Sequence, residues 1–213
     1  MNHPADSEHL KGFQPSIRTI TEAFQLPTDF FERLGEEDDW SLVIKLHALL
    51  ETTLGWYLDG YLKPYGLDWL IGKMDLSGGR INKIEVALQT GGLDGSQAKF
   101  IRAVSKIRNR LVHNIRHVRF DLKDYISNLP ASEKHEFSSD ILAINITDNW
   151  TEDERVQLRA SVINAPRAAV FWNTVYVVSF VTVYRRMTEL NREHEVLKRE
   201  HDLKQRLGIV TGQ

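Results

Sequence analysis

The chain has 213 residues, of which 42% are hydrophobic and 26% charged, and its formal net charge is −2. These values are typical of a globular protein with a sizeable core, and they exclude both a disordered chain and an overall polycation. The sequence contains no cysteine. That absence excludes a disulfide framework, thiol catalysis and cysteine-ligated zinc, and it suits a reducing compartment.

The N-terminal segment, residues 1–15, is polar, carries acidic residues and has no apolar stretch like that of a signal peptide. We therefore expect a cytoplasmic protein in which residues 1–15 form a mobile arm. The helical periodicity of the remaining sequence predicts an all-α fold. A helical bundle is expected over residues 16–165, followed by a long C-terminal helix over residues 166–213 that packs on the bundle.

The first half of the bundle is predicted to contain three helices. Asp38 or Asp39 is expected to cap a long helix that a KPYG sequence ends, because apolar residues recur there at helical spacing. A short helix follows, and the glycine pair Gly91-Gly92 is expected to terminate it. Ser96 is predicted to cap the third helix, over residues 97–118.

The second half of the bundle is less regular. Residues 137–147 (FSSDILAINIT) are the only stretch in which a short strand is considered. The sequence TEDE at residues 151–154 indicates a capping box that opens a helix. Pro166 is predicted to start the final helix, which reaches about Leu207.

The final helix contains an apolar run over residues 168–184. It is interrupted by polar residues and is shorter than the roughly 20 residues that a membrane span needs. The run therefore predicts a buried helix or a dimer interface, with no membrane association. Further along, a heptad spacing predicts a short coiled coil or packing seam, although two of its positions are histidines. The residues at this spacing are Phe180, Val183, Met187, Leu190, His194, Leu197 and His201.

Residues 97–120 form a basic segment with seven Lys or Arg residues, two His residues and no acidic residue. On an ideal helix, several polar residues lie opposite the apolar stripe that contains Phe100. A solvated outer face is one interpretation of this stripe, and a site for a polyanion is the other. The lack of any acidic residue favours the polyanion site, because exposed helix faces usually mix charges. The residues opposite Phe100 are Arg102, Lys106, Asn109, His113 and Arg116.

The sequence IRNRLVHN at residues 107–114 resembles the R-N-x-x-x-H signature of HEPN domains. These are helical bundles, and many are metal-independent RNases of toxin–antitoxin, abortive-infection and CRISPR systems. The resemblance covers about residues 38–125 and implies that Arg108, Asn109 and His113 are catalytic. It implies no cofactor and no metal. The flanking cations implied as RNA-binding residues are Arg102, Lys106, Arg110 and Arg116.

The resemblance also implies partners and alternatives. HEPN RNase sites usually form where two motifs meet in a homodimer, and an antitoxin or another regulatory protein often controls them. The arrangement of residues 42–54, 83–93 and 107–113 is also similar to mannitol-operon-repressor-like helical proteins, so a non-catalytic regulatory or oligomerisation module is the second interpretation. An RNA-binding subunit is the third. Ile115 stands where one antitoxin-paired subgroup has tyrosine, which disfavours that subgroup.

The residue types of the motif suit RNA cleavage without a metal. Histidine transfers protons near neutral pH, and arginine offers a permanent charge and a fork that matches phosphate oxygens. Arg108 projects about 140° from His113 on an ideal helix, a separation that a site shared between two copies relieves. His47 and Glu51, one helical turn apart, either point towards this site or form an ordinary surface or core pair.

Overall fold

The computed structural model describes residues 7–112, 119–142 and 151–207, with side chains described from residue 14 onward. This part of the chain is all-α and contains no strand, which confirms the predicted fold class. Two 3-10 turns follow the third helix. The helices are α1 Ser7–Phe24, α2 Phe30–Glu36, α3 Asp39–Leu62, α4 Lys83–Gln89, α5 Gly95–Val112, α6 Leu122–Ser127, α7 Ala131–Leu142, α8 Glu152–Asn164 and α9 Pro166–Arg206.

Helix α3 is the central element of the bundle and lies where the sequence predicts it. Asp38 is its N-cap, and the Asp38 carboxylate accepts hydrogen bonds from the backbone N–H and the hydroxyl of Ser41 at 2.9 and 2.7 Å. Burial opposes ionisation of this carboxyl, but these hydrogen bonds outweigh it and lower the pKa of Asp38. Leucines at helical spacing between Leu42 and Leu58 are fully buried, so α3 packs against α9, α5 and α4.

The turn after α4 brings the backbone close to α3. Gly91 adopts a left-handed conformation with φ of 76°, which ends the helix as the sequence predicts. A Cβ at Gly92 would lie 2.2 Å from ring atoms of Tyr57, so only glycine fits there. The Tyr57 hydroxyl donates to the backbone oxygen of Thr90 at 3.1 Å, and this contact fixes α4 on α3.

Three local predictions differ from the structure. Asp94, not Ser96, caps α5, because the Asp94 carboxylate accepts from the backbone N–H groups of Ser96 and Gln97, both at 2.8 Å. Residues 137–142 are helical rather than a strand, since Phe137 and Ile141 are one turn apart and both buried. Residues 143–147 lie outside the described part of the chain.

The third difference concerns the expected N-terminal arm. Helix α1 begins at Ser7, so residues 7–15, which were predicted to belong to a mobile arm, are helical, and residues 1–6 lie outside the described residues. The sequence explains the extension, because apolar residues recur at three- and four-residue spacing from Leu10 to Phe24. Ile17 and Ile20 are buried, and α1 packs against α9.

An ion pair joins the start of α9 to the α2–α3 junction. Arg167 pairs with the carboxylate of Asp39, and its guanidinium also donates to the backbone oxygens of Gly35 and Glu37. The second oxygen of Asp39 accepts from the backbone N–H of Leu122 at 2.7 Å. Both side chains of the pair are largely buried, with exposed fractions of 21% for Arg167 and 12% for Asp39. Residues of four helices, α2, α3, α6 and α9, therefore meet at one pair of charges.

Helix α9 starts at Pro166 and continues for 41 residues, about 60 Å at 1.5 Å per residue. The capping box of Thr151 and Glu154 that opens α8 is present as predicted. Arg185 lies over the ring of Trp56, 3.7 Å from its centroid, and Arg192 donates to the backbone oxygen of Gly60 at 2.8 Å. These two arginines hold α9 on α3 as far as residue 192.

Across the described residues, no helix combines the length and the apolar character that crossing a membrane requires. The apolar run at residues 168–184 instead contributes to the core. Val170, Phe171, Val175, Val178 and Val181 are fully buried against the bundle.

Candidate active site at the end of α5

Helix α5 presents the apolar face that the sequence predicts. Phe100, Val104, Ile107 and Leu111 are almost completely buried, because α5 packs against both α3 and α7. The described helix ends at Val112. The predicted catalytic His113 and the predicted RNA-binding Arg116 lie outside the described residues.

Arg108 and Asn109 occupy the last turn and a half of α5. The Arg108 side chain is half-buried and Asn109 is exposed. One guanidinium nitrogen of Arg108, Nη1, donates to Asn109 Oδ1 at 3.2 Å. Two of the three predicted catalytic residues are therefore in direct contact, and Asn109 restrains the guanidinium of its neighbour. Among the described residues, no carboxylate lies within ion-pair distance of Arg108.

His47 on α3 is a buried histidine beside the motif, with an exposed fraction of 7%. Burial lowers the pKa of its imidazole, the positive charge of Arg108 lowers it further, and the negative charge of Glu51 acts in the opposite direction. The structure thus brings His47 and Arg108 close enough to interact. The sequence raised this possibility without deciding it, because helix spacing alone does not show which face of α3 meets α5.

Two of the predicted RNA-binding cations have carboxylate partners from neighbouring helices. Arg102 pairs with Glu85 of α4, and Lys106 Nζ lies 3.6 Å from a carboxylate oxygen of Glu136 on α7. Burial and the nearby Glu136 raise the pKa of Asp140, while Lys106 acts against that rise. The middle of α5 is therefore less positive than its own sequence indicates, since the acidic partners lie elsewhere in the chain.

Arg110, the third described RNA-binding candidate, interacts with an aromatic ring. Its Nη1 donates to the hydroxyl of Tyr125 at 3.0 Å, and its guanidinium lies 5.2 Å from the centre of that ring. Within the described part of the chain, no carboxylate pairs with Arg110. Among the described residues, two neighbouring cations without a carboxylate partner, Arg108 and Arg110, therefore lie close together in the last described turns of α5.

A cleft of about 630 Å³ lies between α3, the second 3-10 turn and α4. Glu51 lines it and accepts from Lys83 Nζ at 3.0 Å. Asp59 and Asp68 also line it, so its three carboxylates outnumber its single lysine. Such a lining repels a polyanion. A polyanion is therefore better accommodated at the cationic end of α5 than in this cleft.

No group of three or more metal-ligating side chains is arranged to hold a metal ion within residues 7–112, 119–142 and 151–207. Two of the carboxylates near α5 are instead paired with cations: Glu85 with Arg102 and Glu136 with Lys106.

The lowered pKa of His47 predicts a pH-dependent stability. In the unfolded chain His47 titrates near its ordinary value of 6.5, so below that pH the unfolded state binds a proton that the folded state resists. We expect this residue to reduce the free energy of unfolding as the pH falls from about 6.5 to its folded pKa, by at most about 1.4 kcal/mol per pH unit. At lower pH the loss levels off.

Urea unfolding of the wild type and of His47→Gln, between about pH 7.5 and about pH 5.5, measures this effect. His47→Gln should show a weaker decline in stability across this range than the wild type. His135→Gln, at an exposed histidine of α7, is the matched control and should keep the wild-type slope. Equal slopes for the wild type and His47→Gln would contradict the assignment.

Comparison of the chain with protein-family models, with curated proteins and with solved structures gives no match.

Proposed function

We propose that this protein is a cytoplasmic, metal-independent endoribonuclease of HEPN type. The observation that carries the proposal is the end of α5. There Arg108, which lacks a carboxylate partner among the described residues, contacts Asn109, lies beside the buried His47, and precedes His113 by five positions in the sequence. The motif thus supplies a phosphate-binding guanidinium, that of Arg108, and a proton-transferring imidazole, that of His113. RNA cleavage without a metal requires these two kinds of group.

The proposed reaction is an internal transfer at phosphorus. The ribose 2′-oxygen attacks the adjacent phosphorus as its proton is removed, and the bond from phosphorus to the 5′-oxygen breaks as that oxygen gains a proton. The products are a 2′,3′-cyclic phosphate and a 5′-hydroxyl. His113 acts as the general acid/base, and Arg108 stabilises the negative charge of the phosphorane.

Asn109 has a positioning role in this mechanism. Its side-chain oxygen accepts from Arg108, which restrains a long side chain that otherwise samples many rotamers. The proposal includes a homodimer in which two motifs face a shared cleft, because an ideal helix would point Arg108 and His113 in different directions. Arg110 and Arg116 extend the phosphate-binding surface beside the motif, whereas Arg102 and Lys106 bind RNA in competition with Glu85 and Glu136.

Incubation of the purified full-length chain with total RNA in EDTA tests the proposal. We expect cleavage to persist in EDTA and to leave cyclic phosphate ends, because histidine and arginine carry out every step. Strict dependence on Mg²⁺ would contradict the metal-independent mechanism. RNA binding without cleavage would instead indicate an RNA-binding subunit.

The pairing of Arg102 with Glu85 and of Lys106 with Glu136 favours a second candidate function, a non-catalytic regulatory or oligomerisation module of the HEPN or mannitol-repressor-like kind. In such a module the charges of α5 stabilise the bundle rather than bind RNA. Failure of a pure, folded protein both to cleave and to bind RNA would favour this candidate. If cleavage is found, the expected biological role is that of a toxin or antiphage effector under the control of a partner protein.

A further inference from the structure

The outer face of α9 carries large apolar side chains that the bundle does not cover. From Tyr176 to Leu190 their spacing alternates between four and three residues, and Leu197 follows seven residues later, as in the heptad pattern of a coiled coil. They lie from 37% to 64% exposed. These residues are Tyr176, Phe180, Val183, Met187, Leu190 and Leu197.

The last part of α9, after Arg192, does not pack against the described bundle. After Arg192, every residue to Leu207 is exposed except the half-buried Lys204. An isolated helix of about this length is marginal in water, because its few hydrogen bonds barely offset the cost of nucleation. The projecting segment therefore lacks the tertiary packing that usually stabilises a helix.

The charges beside the apolar face match a second copy in parallel orientation. With Phe180 and Met187 at the a positions, Glu193 lies at g and Lys198 lies at the following e position, so a parallel pair brings the two together twice by symmetry. The remaining g and e contacts, Arg186 with Asn191 and Glu200 with Gln205, involve no like charges. An antiparallel pair over the same residues brings Glu193 near Arg186 of the second copy, but it also places His194 against Val183 and His201 against Tyr176, so each histidine meets a less polar side chain.

We propose that residues 176–201 of α9 form a parallel, in-register coiled coil with the same segment of a second copy of this chain. The segment spans more than three heptads, the length at which such a pattern indicates a coiled coil. Pairing covers the exposed apolar face and stabilises the projecting end of α9. This inference concerns assembly alone and stands whether or not the protein cleaves RNA.

Two histidines occupy core positions of this coiled coil and restrict its register. His194 and His201 fall at a positions, where each meets its own copy in the parallel in-register arrangement. Any shift of one helix by a heptad places a histidine against an apolar side chain instead. Polar residues at a positions reduce the stability of a coiled coil while fixing its register.

Light scattering at micromolar concentration measures the proposed dimer. The wild type should have twice the protomer mass of 24.6 kDa, and Leu197→Asp should shift the mass to that of one protomer by placing a charge at the interface. Val196→Asp is the matched control, because Val196 is as exposed as Leu197, at 62% against 63%, but lies at an outer c position. A monomeric wild type, or equal effects of the two variants, would overturn the proposal.

A single introduced cysteine tests the orientation, since the chain has none of its own. Under mild oxidation Leu197→Cys should form a disulfide-linked dimer in high yield, because d positions of a parallel in-register pair lie directly opposite each other. Val196→Cys should cross-link poorly. Efficient cross-linking of Val196→Cys with none of Leu197→Cys would contradict the parallel register.

Discussion

Replacement of His113 by alanine is expected to reduce the rate of RNA cleavage by about 10²–10⁴-fold, the usual contribution of a positioned proton-transfer group. The expectation rests on the proposed function, in which His113 moves protons to and from the ribose and the leaving oxygen. On an ideal helix His113 lies on the polar face, opposite Phe100, so the melting temperature should change little. Cleavage kinetics and thermal unfolding on the same preparations measure both effects.

His117→Ala is the matched control for this experiment. His117 lies in the same basic segment but outside the R-N-x-x-x-H motif, so its replacement should leave the cleavage rate within a few-fold of the wild type. Normal cleavage by His113→Ala would refute the active-site assignment even for a genuine nuclease. Loss of folding in His113→Ala would identify a core histidine instead.

Replacement of Arg167 by methionine is expected to lower the free energy of unfolding by about 3 kcal/mol, the low end of the cost of breaking a buried ion pair by removing one partner. Methionine keeps most of the aliphatic volume but leaves the Asp39 carboxylate without its cation. It also removes the donor to the backbone oxygens of Gly35 and Glu37. Chemical denaturation of the wild type and the variant measures the difference.

Arg33→Met is the control for Arg167→Met. Arg33 pairs with Asp29 at 2.6 Å, but its side chain is 71% exposed, and solvent screens such a pair. Its loss should cost less than about 1 kcal/mol. Similar losses in the two variants would mean that the environment of Arg167 adds nothing to an ordinary surface pair.

The elements that follow from local rules could be predicted from the sequence. Helix α3 with its Asp38 cap, the capping box at Thr151 and the start of α9 at Pro166 all depend on residues within one turn of each other. The local rules did not decide between two possible N-caps of the same helix, α5. Asp94 and Ser96 are both good caps, and only the folded loop shows that the Asp94 carboxylate reaches the free N–H groups.

The electrostatics of the candidate site could be predicted only in part. The buried face of α5 follows from its periodicity, and the adjacency of Arg108 and Asn109 follows from the motif. The carboxylate partners of Arg102 and Lys106 could not be predicted in this way, because they lie 17 and 30 residues away on other helices. A stripe that has no acidic residue in its own segment acquires two carboxylates when α4 and α7 pack beside it.

The neutralised middle of α5 has a consequence for the salt dependence that we expect of the proposed RNA complex. Each phosphate that a cation neutralises releases condensed counterions, and for single strands this lowers log K by about 0.7 per tenfold rise in salt concentration. Arg102 and Lys106 already have anions beside them, so a phosphate that displaces Glu85 or Glu136 exchanges one anion for another. Among the described cations of α5, Lys99, Arg108 and Arg110 have no carboxylate at ion-pair distance, so they are the expected main sources of counterion release. We therefore expect the proposed RNA complex to lose less affinity with rising salt than seven unpaired cations would predict.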